Sequence, residues 1–263
     1  MTKKNIFVPL SNQTKEIILG MVLGDGSLKI HEPYRNARFS FRHSIVQKPY
    51  FDWKKNQLKE ISSQNCYWLQ KADQKSYSNQ PKLRYQSQAL ESLTEIYSLT
   101  HKRGKLRIRR KWLNLLTPLS LAIWWMDDGS IISNGRKGVI CTDGFDEKSV
   151  KVLANYLQKV WNVKVNLAPV KKPRDGKKEK YFRLWLRSTE ELKKFLRIIL
   201  PYIQVEQMLP KAVLLYKDNQ LLERWISEIK DNTEFSGETV EKYVSIKKNK
   251  WKAFSENDIV QPL

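Results

Sequence analysis

Two stretches of the chain are apolar at almost every position. They run Ile17-Ile18-Leu19-Gly20-Met21-Val22-Leu23 and Leu119-Ser120-Leu121-Ala122-Ile123-Trp124-Trp125-Met126. Both are too short for a membrane span and long enough for a buried helix. Thr117 is a good helix cap and Pro118 a good first helical residue. Each stretch runs into an acid, a glycine and a serine: Gly24-Asp25-Gly26-Ser27 and Asp127-Asp128-Gly129-Ser130. Gly26 and Gly129 are expected in the left-handed conformation that ends a helix. Asp25 and Asp128 occupy the same place, 103 residues apart.

The downstream patterns also match. After the first helix, Arg38-Phe39-Ser40-Phe41-Arg42 alternates as a strand does, followed by a helix pattern at Pro49–Ile61. Strands are predicted at Tyr67–Lys71 and Lys82–Gln86, and a helix at Leu90–Tyr97. After the second helix come a strand at Gly138–Thr142, a helix at Glu147–Trp161, strands at Val163–Val170 and Tyr181–Arg187, and a helix at Thr189–Tyr202. Pro173-Arg174-Asp175-Gly176 is the turn signal of the second hairpin. The predicted fold class is α+β, a duplicated αββαββα unit. The first repeat is placed at 1–104, the second at 105–230, and a C-terminal extension at 231–263. Composition leaves open whether that extension docks on the body or is flexible.

Alternation also sets the faces of the sheets. Phe39 and Phe41 point to one side, and Arg38, Ser40 and Arg42 to the other. Leu184 and Leu186 oppose Arg183, Trp185 and Arg187 in the same way. One face packs on helices and the other is cationic, a β-ribbon suited to the DNA major groove.

Charge strengthens that reading. The 263 residues carry 48 Lys and Arg against 27 Asp and Glu, a net of +21. The tail from residue 231 contributes five Lys against six acids, so residues 1–230 carry +22. Such a surface fits a phosphate backbone. Cys66 and Cys141 are isolated, and His31, His43 and His101 are scattered, which excludes zinc ribbons, fingers and disulfide scaffolds. The first residues show no targeting peptide. The expected location is an organelle if the chain is organelle-encoded, and otherwise the bacterial cytoplasm.

The helix ends carry the candidate chemistry. A carboxylate at a helix C-terminus meets the negative end of the macrodipole. Gly20 and Gly24, at i and i+4, leave a bare face where another helix can approach. If the two motif helices pack there, Asp25 and Asp128 come side by side and repel, unless divalent metal neutralises them. Mg²⁺ favours such oxygen ligands, with Mn²⁺ as a substitute. The metal set is Asp25 and Asp128 with the preceding Gly24 and Asp127. Asp127 reads as a packing or supporting residue, since Gly24 holds its place in the first repeat.

Ile18-Leu19-Gly20-Met21-Val22-Leu23-Gly24-Asp25-Gly26 and Leu121-Ala122-Ile123-Trp124-Trp125-Met126-Asp127-Asp128-Gly129 resemble the two motifs of a single-chain LAGLIDADG homing endonuclease. The second, with Leu116 to Ser120 before it, is especially similar to an intron-encoded yeast mitochondrial member. The resemblance covers about residues 10–215. It implies a pseudo-twofold monomer whose sheets form a saddle around two central motif helices. It also implies metal-dependent cleavage of a long double-stranded target, leaving short 3′ overhangs. Asp25 and Asp128 would be the metal ligands, and one basic residue per repeat would assist. Lys105 is the first candidate, with Arg107 close behind. Lys211 is the second, in a segment that departs from the family order. DNA contacts are expected from Arg35, Arg38, Ser40, Arg42, Lys71, Lys75, Lys82, Arg84 and Gln86 in the first repeat. In the second they are Arg136, Lys137, Lys164, Asn166, Lys171, Lys172, Arg174, Lys177, Lys178, Arg183, Trp185 and Arg187. Competing readings are an intron RNA maturase on the same scaffold and a non-catalytic DNA-binding regulator. Retention of both aspartates favours cleavage.

Overall fold

The computed structural model describes residues 9–72, 80–170 and 181–251. Lys75, Lys171, Lys172, Arg174, Lys177, Lys178 and the Pro173–Gly176 turn lie outside these residues. By contacts the chain forms two compact units, 1–127 and 128–263. The sequence repeats and the compact units therefore divide at different places, because the second motif helix packs within the first unit.

In the first unit α1 (Asn12–Leu23) starts at Ser11, whose side chain accepts the Thr14 N–H at 3.2 Å. The strands are β1 (Ser27–Lys29), β2 (Arg38–Ser44), β3 (Tyr67–Gln70) and β4 (Lys82–Gln86), in the antiparallel order β1-β2-β4-β3. Helices α2 (Lys48–Gln57) and α3 (Glu91–Thr100) complete the repeat. The period-two expectation for β2 holds: Phe39, Phe41 and His43 are buried, and Arg42 is exposed. Phe41 stacks on Tyr85 of β4 and meets Phe51 of α2 at 5.1 Å, so this face of the sheet packs on helices. A small hairpin, β5 (His101–Lys102) and β6 (Lys105–Leu106), and a short α4 (Arg110–Leu113) lead to α5 (Pro118–Asp128).

The glycines of α1 serve close approach. A Cβ on Gly20 would lie 2.5 Å from the Ser120 carbonyl oxygen, and one on Gly24 would lie 2.6 Å from Asp127 Cβ. The Ser120 hydroxyl donates to the Glu16 carbonyl at 2.8 Å across this contact. Gly26 and Gly129 do not take the left-handed conformation; among the described glycines only Gly104 and Gly135 do. Gly26 is needed for another reason. A Cβ there would lie 2.8 Å from the Phe39 ring and from the Met21 carbonyl.

The second unit repeats the sheet. Strands β7 (Gly129–Ile132), β8 (Lys137–Ile140), β9 (Asn166–Pro169) and β10 (Phe182–Leu186) pair in the antiparallel order β7-β8-β10-β9. Gly129 opens a strand rather than a turn, pairing with Ile140. Helix α6 (Glu147–Trp161) is capped by Asp146 and stopped by left-handed Asn162. With α7 (Thr189–Ile199) it supplies Leu153, Leu157, Phe195 and Leu196 to a core that includes Ile140, Leu184 and Leu186.

The end of the second repeat and the extension from residue 231 are folded as far as they are described. Helices α8 (Asn219–Asn232) and α9 (Gly237–Lys248) bury Trp225, Ile229, Val240 and Val244. The Trp225 indole donates to the Ala212 carbonyl at 3.0 Å, and the Lys247 ammonium donates to that of Val213. Among the described residues no helix is long and apolar enough to cross a membrane.

Candidate nuclease centre and nucleic-acid interface

Asp25 follows the last turn of α1, its side chain 41% exposed. It lies at a groove of about 540 Å³ lined by Ser27, Lys29, His31, Ser40, Arg42, Trp68, Arg84 and Gln86. Strand register explains the lining. Ser27 faces Ser40, Arg42 faces Arg84, and Arg84 faces Trp68 across adjacent strands, so their side chains share the face opposite the core. Four of the expected DNA contacts, Ser40, Arg42, Arg84 and Gln86, therefore come together beside Asp25. Arg38 also lies in this sheet, with its guanidinium 4.0 Å from the Tyr34 ring centroid and 3.3 Å from Gln86 Oε1. Arg35 and Lys71 are exposed on loops, and Lys82 is the first residue of β4. Trp68, Lys29 and Ser27 are further lining residues that pattern reading missed. Ser27 and Lys29 sit in a strand too short to show a period.

Behind Asp25 lies a buried polar cluster. Asp127, in the last turn of α5, has a fully buried side chain. Its Oδ1 accepts from the Lys54 ammonium and from the Tyr50 hydroxyl at 2.8 Å. Its Oδ2 accepts the Asp25 backbone N–H at 3.2 Å. Burial by itself would raise the Asp127 carboxyl. The charges of Lys54 and His43, the Lys54 hydrogen bond and the Asp25 N–H outweigh it and hold the carboxyl below its usual range. Lys54 is itself wholly buried; its Nζ lies 3.1 Å from His43 Nε2 and 4.4 Å from the Tyr50 ring centroid. His43 Nδ1 faces Asp25 Oδ2 at 3.8 Å.

Asp25, His43 and Asp127 each offer an atom that could ligate a cation, all within 4.8 Å of one another. The ammonium of Lys54 already occupies the side of this cluster shared by His43 and Asp127. The solvent side belongs to Asp25, whose hard carboxylate oxygens suit Mg²⁺ or Mn²⁺. Gly24 contributes space for Asp127 rather than a side-chain ligand. His43, Tyr50 and Lys54 were not singled out from sequence. A signal existed: His43 continues the inward series of Phe39 and Phe41, and Lys54 falls on the apolar stripe of Tyr50 and Phe51. A polar residue in a core position needs a partner.

The second unit differs. Asp128 ends α5, and its carbonyl accepts the Cys141 N–H at 3.0 Å. Arg183 does not project as an unengaged cation: its Nε donates to Asp143 at 2.7 Å and Nη2 donates to the other oxygen of that carboxylate. Asp143 hydrogen bonding outweighs burial and raises the Arg183 pKa, with Cys141, Asp143 and Asp128 charges adding to it. Burial pushes the Cys141 thiol up, with Asp128 and Asp143 adding to it and Arg183 and Lys211 opposing. Asp128, Cys141, Asp143, Arg183 and Lys211 thus share one electrostatic neighbourhood. Lys211 ends a 3-10 turn at Glu206–Lys211. Lys105 lies exposed on β6. Trp185 and Asn166 are paired across β10 and β9, while Arg136, Lys137, Lys164 and Arg187 are exposed.

Comparison with known proteins agrees with this architecture. Residues 15–195 match the model of the LAGLIDADG DNA endonuclease family. A protein named RecA from Mycobacterium gastri is 31% identical over 209 residues, covering 74% of this chain and 46% of the relative. Cytochrome b mRNA maturase bI2 of Saccharomyces cerevisiae is 28% identical over 206 residues, covering 74% and 46%. The chain thus spans under half the length of these relatives. The structure of the homing endonuclease I-WcaI bound to its DNA recognition sequence superposes with a TM-score of 0.67 at 20% identity, covering 80% of this chain and 90% of that one. The repeated sheet order, the two motif helices with their terminal acids, and the match across both motifs lead to one conclusion: the chain belongs to the LAGLIDADG DNA endonuclease family.

Proposed function

We propose that the protein is a monomeric homing endonuclease that makes a specific double-strand break in a long DNA target, leaving short 3′ overhangs. The observation that carries this reading is Asp25 at a groove lined by Lys29, Arg42 and Arg84. A carboxylate beside three cations on a face that matches a duplex backbone is placed for metal-dependent phosphodiester chemistry. Asp25 and Asp128 hold divalent metal, each in its own unit. A metal held there would supply an activated water and stabilisation of the leaving oxygen. Arg42, Arg84 and Lys29 bind and orient the phosphate backbone. Lys105 and Lys211 offset phosphate charge. Ser40, Gln86, Asn166 and Trp185 offer groups for base readout.

The test is incubation of the purified protein with a plasmid carrying the uninterrupted insertion site of its gene, with and without Mg²⁺. A single Mg²⁺-dependent double-strand break is expected. A second reading, an intron RNA maturase, is favoured by the similarity to the yeast cytochrome b mRNA maturase. Stimulated splicing of the host intron with an uncut plasmid would select it.

A further inference from the structure

We propose that α8 and α9 hold Lys211 in the neighbourhood of Asp128: Trp225 and Lys247 are positioning residues that grip the two backbone carbonyls following Lys211. The proposal rests on reading Lys211 as the lysine that offsets phosphate charge in the second unit.

Lys211 is half-buried at the end of the 3-10 turn Glu206–Lys211, and Ala212, Val213, Leu214 and Leu215 follow it, all buried. A 3-10 turn has poorer hydrogen-bond geometry than an α-helix, and Pro210 inside this one has no N–H to donate. Residues 212–215 belong to no helix or strand. Their buried backbone groups still need partners. Two helices supply them. The Trp225 indole of α8 donates to the Ala212 carbonyl at 3.0 Å, and the Lys247 ammonium of α9 donates to that of Val213. Among the described residues no acid pairs with Lys247, so its burial costs solvation without a compensating charge. An apolar residue would avoid that cost and leave the Val213 carbonyl without this donor. The far end of the segment is tied down as well. The Leu215 N–H donates to the Gly135 carbonyl at 3.1 Å, where a Cβ on Gly135 would lie 2.8 Å from the Leu215 side chain. The 3-10 turn itself packs against β7, the strand that opens directly after Asp128. Lys211 and Asp128 both act on the Cys141 side chain. The chain that follows Lys211 is thus fixed by helices that lie beyond the family match, which ends at residue 195.

Lys247→Met and Trp225→Phe each remove one donor and keep an apolar stem or ring in the core. In both full-length variants amide exchange, read by mass spectrometry, should speed up across residues 206–215 and stay unchanged in β10. Single-turnover cleavage of the insertion-site plasmid is measured with the DNA fully bound and below the unfolding temperature. Each variant should slow it about tenfold, since a displacement of about 1 Å can cost about 100-fold. Lys211→Met should slow it at least as much. In that background neither variant should slow it further, because all three remove the same contribution. A role in stability alone leaves the rate of the folded, DNA-bound protein unchanged, or multiplies with the loss in Lys211→Met. Parent-rate exchange across residues 206–215 in both variants overturns the proposal. So do parent-rate cleavage in both beside a slow Lys211→Met, and losses that multiply. Faster exchange with Lys211→Met cutting at the parent rate would instead refute the reading of Lys211 and leave the grip on residues 206–215 standing. If the parent protein does not cut, the nuclease reading fails, and exchange alone decides the grip.

Discussion

The backbone N–H of Asp25 donates to the Asp127 carboxylate, and their surroundings give the two acids opposite work. Asp127 is sealed against Lys54 and Tyr50, and Asp25 opens on a cationic groove. Asp25→Asn or Asp128→Asn should abolish plasmid cleavage and leave DNA binding within a few-fold in gel-shift assays; cutting by either variant would remove that aspartate from the mechanism. Removing one partner of a buried ion pair leaves the other uncompensated. Lys54→Met alone should therefore lower stability by about 3–5 kcal/mol. Urea unfolding measures this, and a loss under about 1 kcal/mol would mean that Asp127 is not held as an anion. Neither residue's role could be read from its neighbours in sequence. Lys54 sits 73 positions from Asp127, and only the packing of α2 against α5 joins them.

At the scale of elements, α1 and α5 approach until backbone meets backbone at Gly20. Gly20→Ala places a methyl against the Ser120 carbonyl and should cost about 1–3 kcal/mol, read as a lower urea midpoint. The sheets differ in their available cations. Arg42 and Arg84 line the groove, while Arg183 is clasped by Asp143. Arg42→Ala and Arg84→Ala should each weaken DNA binding and lower the slope of log affinity against log salt by about 0.9. Arg183→Ala should change that slope less. Equal slopes for all three variants would show that Asp143 releases Arg183 when DNA binds. From alternation alone Arg183 and Arg84 look the same; the difference is a carboxylate 40 residues away.

At the scale of the whole molecule, the net charge of +21 suits sequence-independent attraction to a phosphate backbone, and on the proposed function the groove lining would supply selectivity. The family match ends at residue 195, but α8 and α9 add Trp225 and Val240 to the buried core. Lys247 is buried there, and that burial lowers its pKa from 10.5 to about 7. Between these values the unfolded chain holds a proton that the folded one lacks, so this group makes stability rise with pH from about 7 to about 10. Urea unfolding at both ends of that window should show the rise in the parent protein and a flatter profile in Lys247→Met. Equal slopes would place Lys247 in solvent.

The sequence by itself determined the longer helices and strands of the two repeats, though not the short β1 or β7, and with them the repeat and the matched positions of Asp25 and Asp128. Each rests on a local period, a short-range motif or a recurring pattern. It also determined which face of β2 and β10 is cationic, because alternation follows from backbone geometry. Only the tertiary structure decided which charges are engaged. Lys54 pairs with Asp127, His43 turns toward Asp25, and Arg183 is held by Asp143, through contacts between residues far apart in the chain. Local pattern carries the direction in which a side chain points. What it meets there depends on how the elements pack.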